Sequence, residues 1–296
     1  MNPNDRILIL GCSGTVGSRL VEKLCMQGYL VFGVRGQSPC PVENDLHHCV
    51  SSDLLTQDVS EYVRHTKPFL LVHTAWEMTP TTFWNDSNNF EWASKSALLI
   101  QKFFEYGGGK VLVTGSCAEY SWVSDSTLSE KSIEGPNSAY GESKLNLLRF
   151  IQAEGLPYLW TRTFFQFGQD KHSNKLIPKL IRSAIAGTPV NLENPLHVRD
   201  FIHIDDIIPI LSALIVDNQS GIVNIASGIG RSVSDVVHQV EMGLGKKIDI
   251  VYADSGEAPA SVVADVSHLK SLLRNFEIQP FAESIECTIR EYLRPN

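Results

Sequence analysis

Residues 7–17 read ILILGCSGTVG, a short apolar run that leads directly into three glycines. Such a run is typical of a buried strand, and apolar residues at helical spacing follow over residues 15–27. Gly11 permits a tight turn, Gly14 lets the backbone approach a ligand, and Gly17 allows the helix and the strand to pack closely. Because the first N–H groups of a helix have no partner within it, this turn is predicted to bind a pyrophosphate.

Short apolar runs alternate with longer amphipathic stretches through the first half of the chain. Further runs lie at 30–34, 47–50, 68–75 and 110–116, and a helix is expected over 94–109, where three glycines end it. Alternation of this kind favours right-handed β-α-β units. We therefore expect an α/β fold, a Rossmann-type doubly wound parallel sheet with helices on both faces.

The pattern becomes less regular after about residue 165. Further helices and strands are predicted at 175–187, 201–215, 232–245 and 248–254. Neither an internal repeat nor a low-complexity linker separates the two halves. We expect a dinucleotide-binding domain made of residues 1–165 and about 200–220, with a smaller, interleaved C-terminal substrate domain made of residues 166–199 and 221–296.

Composition limits the function further. The 296 residues are 43% hydrophobic and carry a formal net charge of -8, which argues against nucleic acid as a partner. The N-terminus resembles no signal peptide, and no stretch approaches about 20 uninterrupted apolar residues, so we expect no membrane partner and a cytoplasmic location. The six cysteines form no CxxC pair, and we expect reduced thiols and no metal site.

The end of the second predicted strand bears on the choice of cofactor. An acidic side chain there would bond the ribose hydroxyls of NAD, but Arg35 occupies this place, and arginine suits the 2′-phosphate of NADP. We expect NADP, with NAD as a second possibility and a solvated surface arginine as the alternative for Arg35. Asp53, followed by Leu54, is placed to meet the adenine edge, or else to cap a helix.

Tyr140 and Lys144 form a YxxxK pair, which places both side chains on one face of a helix. A tyrosine has an unperturbed pKa of about 10, and a neighbouring ammonium favours its phenolate, so the pair could exchange a proton near neutral pH. Ser116 ends the fifth predicted strand, 24 residues before Tyr140, at the edge of the sheet where ligands bind.

With these motifs, the chain resembles the extended short-chain dehydrogenases/reductases of the NAD-dependent epimerase/dehydratase family. The resemblance runs nearly from end to end. It rests on the GxxGxxG turn, His73-Thr74-Ala75, Ser116 with YxxxK, Arg162, the KLIP segment at 175–178 and RDFIHIDD at 199–206.

The resemblance implies an enzyme in which Tyr140 is the general acid/base, Lys144 lowers its pKa and holds a ribose, and Ser116 binds the substrate oxygen. It implies cofactor contacts from Gly11, Ser13, Gly14, Thr15, Val16, Gly17, Arg35, Asp53, Leu54, Thr74, Ala75, Trp76, Asn89, Thr114, Tyr140 and Lys144. It implies substrate contacts from Ser116, Cys117, Lys175, Arg199, Trp76 and Phe165. A solvated side chain is the alternative for Lys175, and an ion pair with Asp200 is the alternative for Arg199. Relatives commonly pair through the helix that bears YxxxK, which suggests a homodimer.

The sequence also departs from the family. Its dehydratases carry an Asp-Glu pair after the Ser/Thr position, where this chain has Cys117 and Ala118, which cannot perform acid/base elimination. Residues 76–84 are rich in aromatic side chains, which suit the apolar face of a sugar or, alternatively, pack on the edge of the sheet. Residues 255–259 lack an arginine that the family uses, which puts the substrate class in doubt.

These observations favour an NADP-dependent reductase that transfers a hydride to a keto group of a nucleotide-activated deoxysugar, with Tyr140 as proton donor. An NAD-dependent nucleotide-sugar 4-epimerase is the first alternative. A reductase of steroids or other small carbonyl compounds is the second, and a non-catalytic dinucleotide sensor is the third.

Overall fold

A computed structural model of the chain describes residues 1–2, 5–41, 44–77, 82–122, 127–168, 175–192, 194–252, 261–273 and 277–294. The segment 255–259, where the sequence lacks the arginine of the family, lies outside the described residues. Part of the aromatic stretch, residues 78–81, lies outside them as well.

Strands and helices alternate over most of the chain. The strands are β1 (Ile7–Leu10), β2 (Val31–Arg35), β3 (His47–Ser51), β4 (Leu70–His73), β5 (Lys110–Ser116), β6 (Tyr158–Thr163), β7 (Phe165–Phe167), β8 (Val190–Leu192), β9 (Val198–His203), β10 (Gly221–Ile225), β11 (Gly230–Ser232), β12 (Ile250–Tyr252) and β13 (Ser261–Val262). The helices are α1 (Thr15–Met26), α2 (Ser60–Thr66), α3 (Asn88–Glu105), α4 (Ala139–Ala153), α5 (Leu176–Ala186), α6 (Ile204–Val216), α7 (Val233–Leu244), α8 (Ser267–Leu272) and α9 (Phe281–Leu293).

Seven strands form one sheet in the order β10-β6-β5-β4-β1-β2-β3. The pairs β1–β2, β1–β4, β2–β3 and β4–β5 all run parallel. From β1 the chain adds β2 and β3 on one side of the sheet, and then adds β4, β5 and β6 on the other side, as in a doubly wound sheet. Ligands of such sheets bind beyond the carboxyl ends of the strands where the two halves meet, which here is between β1 and β4. The predicted fold class is confirmed.

The burial pattern explains why the first elements form where they do. All four residues of β1 are buried, so an uninterrupted apolar run is needed there. Helix α1 buries Leu20, Val21 and Leu24 on one face, in agreement with the helical spacing of its sequence. Helix α1 ends at Met26, two residues before Gly28, which has a φ of +87° that favours glycine.

The chain divides into two compact units. Unit 1 comprises residues 1–120, 134–162 and 208–223, and unit 2 comprises 121–133, 163–207 and 224–296. Both units are discontinuous. Residues 121–133, 163–165 and 200–207 cluster with unit 2, although they are expected from the sequence in the dinucleotide-binding domain, and residues 221–223 cluster with unit 1 instead of the substrate domain. The functions assigned to the two domains stay predictions.

Unit 2 has its own apolar core. Strand β9 pairs with β7, β11 and β13, and β8 pairs with β12. The core residues come mainly from α5, α7 and α9 and include Ile177, Leu180, Ile181, Val236, Val240, Ile285 and Ile289. Because some of these strands have only two or three residues, their place depends on contacts that the sequence pattern does not reveal.

One expectation about the cysteines is wrong. Cys40 and Cys49 form a disulfide, with their Cα atoms 6.6 Å apart, so not all six thiols are reduced. Cys49 lies in β3 opposite Gly33 of β2, and the loop after β2 brings Cys40 back to the same strand. The contact depends on the fold of this loop, and the spacing of the two cysteines gives no sign of it. The other four cysteines form no disulfide.

No helix among the described residues combines the length and the apolar character that crossing a membrane requires.

Candidate active site

The glycine turn leaves no space for side chains. Gly11 has a φ of +77°, and a Cβ atom there would lie 2.8 Å from the Cα atom of Ala75. A Cβ atom on Gly17 would collide with the carbonyl oxygen of Gly11. The Gly14 N–H donates to this same oxygen over 2.9 Å, which closes the turn. Close packing of the turn, the helix and the residues after β4 therefore requires these glycines.

The N-terminus of α1 emerges from this turn. Gly14 is its N-cap and has no side chain to bond the first N–H groups of the helix, and residues 15–18 carry no charge. A helix end of this kind presents partial positive charge and N–H donors to an anion. The turn is compatible with the pyrophosphate of a dinucleotide, because no side chain caps the first N–H groups of α1 and no acidic residue lies in its first turn to repel an anion.

Arg35 at the end of β2 is partly exposed to solvent, and Asp53 after β3 is exposed. The Arg35 guanidinium donates to the carbonyl oxygens of Gly36 (3.3 Å) and Ser38 (2.8 Å). The carboxylate of Asp53 accepts from the Leu55 N–H (3.0 Å) and the Thr56 hydroxyl (2.9 Å). Asp53 therefore stabilises its own turn, as in the capping alternative, whereas Arg35 bonds to the loop that follows it.

Hydrogen bonds attach the segment after β4, residues 74–76, to β1 and to the start of α3. The Thr74 hydroxyl donates to the carbonyl oxygen of Leu10 over 2.8 Å. The Trp76 indole N–H donates to the amide oxygen of Asn89 over 2.7 Å, and the Asn89 amide N–H donates to the carbonyl oxygen of Phe83 over 2.5 Å. Asn89 is buried at the start of α3 and holds Trp76 and the aromatic stretch in place.

Ser116 and Tyr140 are brought together at the end of β5. The chain turns sharply through residues 117–119, and the Ser116 hydroxyl accepts from the Ala118 N–H over 3.2 Å. The Tyr140 hydroxyl is hydrogen bonded to Ser116. Burial raises the pKa of Tyr140 well above its usual value, and the bond to Ser116 acts in the opposite direction. The phenol is therefore protonated at neutral pH.

Lys144 lies one turn along α4 from Tyr140. Its ammonium donates to the carbonyl oxygen of Thr114 over 2.9 Å and lies 3.7 Å from the centre of a ring of Trp76. Both contacts stabilise a buried positive charge. Burial nevertheless lowers the pKa of Lys144 to about 7, while Glu119 opposes the shift. Lys144 can thus gain or lose its proton near neutral pH.

Three aromatic rings surround Tyr140. The rings of Phe83, Trp84 and Trp76 meet it edge to face, with centroid distances of 5.3, 5.8 and 6.3 Å. The Tyr140 N–H also donates to the carbonyl oxygen of Trp84 over 3.0 Å. The described part of the aromatic stretch therefore packs against the tyrosine, and it fixes the direction of the phenol.

A buried ion pair holds the backbone of Ser116, and the sequence pattern does not predict it. Glu119 is fully buried and accepts from the Arg162 guanidinium (2.7 Å) and from the indole N–H of Trp160. The same carboxylate accepts from the Ser116 N–H over 2.7 Å. An arginine within a predicted strand of the central sheet is a signal that could reveal this contact, because a buried charge needs a partner.

The residues predicted to bind substrate fall into both units. Cys117 is buried beside Ser116 in unit 1. In unit 2, the Arg199 guanidinium lies 5.5 Å from the ring centre of Phe165 and 5.7 Å from that of Trp122. Asp200 accepts hydrogen bonds from Ser227, Gly228 and Ala264. Lys175 is the N-cap residue of α5. The substrate roles of these side chains stay predictions.

The family model of the NAD dependent epimerase/dehydratase family matches residues 7–226, which include the glycine turn and the Ser116, Tyr140 and Lys144 cluster. The chain belongs to this family. It is therefore an enzyme of the epimerase/dehydratase type, and the resemblance noted in the sequence is confirmed.

Several named enzymes are similar to this chain at 23 to 28% identity. UDP-glucose 4-epimerase from Halalkalibacterium halodurans is 28% identical over 202 residues, which cover 59% of this chain and 60% of that enzyme. The NAD(+)-dependent dTDP-6-deoxy-L-talose 4-dehydrogenase from Aggregatibacter actinomycetemcomitans is 25% identical over 251 residues, which cover 79% of this chain and 88% of that enzyme. The crystal structure of UDP-glucose 4-epimerase from Thermus thermophilus in complex with NAD has a TM-score of 0.85 at 23% identity, over 97% of this chain and 98% of that one.

Proposed function

We propose that the protein is an NADP-dependent reductase that acts on a keto group of a nucleotide-activated deoxysugar. The observation that carries this proposal is the hydrogen bond between the hydroxyls of Tyr140 and Ser116, with the Lys144 ammonium beside them. Two hydroxyls that meet in this way can contact the same oxygen atom of a substrate. The Tyr140 phenol would donate a proton to that oxygen, and the Ser116 hydroxyl would donate a hydrogen bond to it.

The glycine turn and the N-terminus of α1 would hold the cofactor pyrophosphate, and Lys144 would hold its nicotinamide ribose. A bound NADPH supplies a hydride. Arg35 supports the choice of NADP. The hydrogen bonds described for its guanidinium are to the carbonyl oxygens of Gly36 and Ser38, and these two residues are exposed to solvent. A planar cation at this position can bind a 2′-phosphate.

In the proposed reaction, Tyr140 donates its proton to the carbonyl oxygen as the carbon becomes an alcohol. The protonated phenol is the form that reduction needs, and burial keeps Tyr140 in that form. The Lys144 ammonium stabilises the phenolate that remains until solvent returns a proton. Ser116 holds the oxygen during the transfer, and its own position is fixed by the Ala118 N–H and by Glu119.

The relatives and two residues beside Ser116 support the proposed substrate class. One relative is named as a dehydrogenase acting at position 4 of a dTDP-linked deoxysugar, and the other two are named as UDP-glucose 4-epimerases. Cys117 and Ala118 supply neither carboxylate for loss of water, which favours hydride transfer over elimination. The aromatic rings of Trp76 and Trp84 beside Tyr140 suit the apolar face of a deoxysugar.

A nucleotide-sugar 4-epimerase is the second candidate. The relatives named as epimerases favour it, as does the NAD named in the Thermus thermophilus structure. Such an enzyme would keep NAD bound and would oxidise and then reduce the same carbon with Tyr140 as base and then acid. The non-catalytic sensor is less well supported, because Tyr140 is hydrogen bonded to Ser116 and the Lys144 ammonium lies 5.9 Å from the centre of its ring. The homodimer and the cytoplasmic location stay predictions.

The purified protein is expected to carry no bound dinucleotide, and to oxidise NADPH when a nucleotide-linked 4-keto-6-deoxysugar is added. Absorbance of the denatured protein's supernatant measures retained cofactor, and loss of NADPH absorbance measures turnover. Stoichiometric retained NAD, together with interconversion of two sugars without net loss of NADPH, would overturn the reductase and support the epimerase.

The Arg35→Asp variant tests the choice of cofactor. The substitution removes a charged hydrogen bond to the 2′-phosphate and adds a like charge, so kcat/KM for NADPH should fall about 10- to 100-fold. The value for NADH should not fall. The control is Arg64→Asp, at an exposed arginine that pairs with Glu61 on α2. Equal changes for both coenzymes in Arg35→Asp contradict a role in binding the 2′-phosphate.

The rate of reduction is expected to decrease as the pH rises through about 7, because burial lowers the pKa of Lys144 to that value. Lys144 is charged below this pH and neutral above it, and only the charged form stabilises the phenolate of Tyr140. A profile of kcat/KM against pH reports the groups of the free enzyme. In Lys144→Arg the charge persists, so the decrease should move to higher pH. A wild-type profile that stays flat across neutral pH contradicts this assignment.

A further inference from the structure

Two cysteines and a histidine meet on one face of β3, at a place that the proposed reaction does not use. His47 and Cys49 are alternate residues of the strand, so their side chains project from the same face. The Sγ atom of Cys40 lies 4.0 Å from the Nδ1 atom of His47. One ligand atom from each of the three residues lies within 4.8 Å of the other two.

We propose that Cys40, His47 and Cys49 in their dithiol form bind a zinc ion. Two thiolates and an imidazole are ligands that zinc prefers, and a tetrahedral ion with usual bond lengths separates them by about 3.6 to 3.8 Å. The distance of 4.0 Å between Cys40 and His47 is close to this value. A water molecule can complete the tetrahedron.

The backbone already has the spacing that such a site needs. The Cα atoms of Cys40 and Cys49 are 6.6 Å apart, near the upper end of the range of about 4.4 to 6.8 Å for disulfides. Separation of the two sulfur atoms to about 3.8 Å, as zinc requires, is therefore compatible with the present positions of the chain. Pairing with β2 fixes the register of β3, and so fixes two of the three ligands.

The disulfide and the zinc site exclude each other. Reduction of the disulfide consumes two electrons and two protons and yields two thiols. A thiol reductant supplies both and becomes a disulfide, whereas a phosphine supplies the electrons, becomes a phosphine oxide, and water provides the protons and the oxygen atom. Binding of the zinc ion then releases both thiol protons, because each ligand is a thiolate. His47 binds the ion through a neutral imidazole.

The loop that follows Arg35 contains one of the three ligands, Cys40, and it is bonded to β3, which carries His47 and Cys49. The Ser51 hydroxyl of β3 donates to the carbonyl oxygen of Gly36 over 3.0 Å, and Arg35 bonds to this same oxygen. Cys40 follows in the same loop and is half buried. A zinc ion would thus attach the loop to β3 beside the residue proposed to read the cofactor.

Cobalt(II) reports the site without any need for enzyme activity. The full-length protein is treated with a phosphine reductant and a chelator, exchanged into chelator-free buffer under nitrogen, and titrated with cobalt(II). We expect thiolate-to-cobalt charge-transfer absorption that saturates at one ion per chain and disappears when zinc(II) is added. Absence of this absorption in the reduced protein overturns the proposal and leaves the disulfide as the only bond between Cys40 and Cys49.

Matched variants identify the ligands. Cys40→Ser and His47→Gln should each weaken zinc binding by at least about 100-fold, the upper end of what loss of an outer-shell partner costs. Cys287→Ser, at a free cysteine in unit 2, and His48→Gln, at the exposed neighbour on the opposite face of β3, should bind zinc as the wild type does. Circular dichroism verifies that each variant is folded. Unchanged zinc affinity in either folded ligand variant, or equal losses in the controls, contradicts the site.

Discussion

Tyr140→Phe is expected to lower kcat about 10²- to 10⁴-fold, the usual contribution of a positioned general acid. The substitution removes one oxygen atom and retains the ring that packs against Phe83 and Trp84. Ser116 keeps the bond from the Ala118 N–H, so the rest of the site should stay in place. The loss should therefore appear in the chemical step and leave cofactor binding unchanged.

Single-turnover oxidation of NADPH measures the chemical step, and quenching of tryptophan fluorescence measures NADPH binding. Tyr158→Phe is the matched control, because the Tyr158 hydroxyl accepts an exposed hydrogen bond from Gln152, away from the residues of the candidate site. Turnover near the wild-type rate in Tyr140→Phe would show that another group donates the proton. A loss of NADPH binding equal to the loss of turnover would instead indicate a structural role for the hydroxyl.

The sequence identified the residues of this cluster but not how they are held. The YxxxK spacing places Tyr140 and Lys144 on one helix face, and the end of β5 places Ser116 at the edge of the sheet. The contact of Lys144 with Trp76 depends on the conformation of the segment after β4, which has no periodic pattern. Long-range side-chain contacts of this kind leave no signal in the spacing of residues.

In the fold as well, elements with a clear sequence pattern are predicted correctly, whereas boundaries that depend on long-range contacts are not. The predicted bounds of β5 at residues 110–116 are confirmed, because an apolar run between glycines and a polar turn marks them clearly. Helix α3 was expected to begin at residue 94, but it begins at Asn88. Its first turn contains Asn88, Asn89 and Glu91, polar residues that resemble a loop in sequence, and contacts of Asn89 with Trp76 and Phe83 hold it.

Glu119→Ala is expected to reduce the free energy of unfolding by about 3 to 5 kcal/mol, the usual cost of removing one partner from a buried ion pair. Both side chains of the Glu119–Arg162 pair are fully buried, and the carboxylate also accepts from Trp160. The substitution would leave a guanidinium edge and an indole N–H in the core without that acceptor. Urea denaturation followed by tryptophan fluorescence measures the change.

Glu134→Ala is the matched control, since Glu134 bonds to the same Arg162 over 2.6 Å but retains 32% of its side-chain exposure. Arg162 keeps its bond to Glu119 in this variant, and water can reach the partly exposed place of Glu134, so the loss should be clearly smaller than in Glu119→Ala. The two variants should also differ in activity. Only Glu119 accepts from the Ser116 N–H, and a shift of Ser116 would move its hydroxyl away from Tyr140. A Glu119→Ala protein as stable and as active as Glu134→Ala would contradict the view that this carboxylate fixes both the core and the catalytic serine.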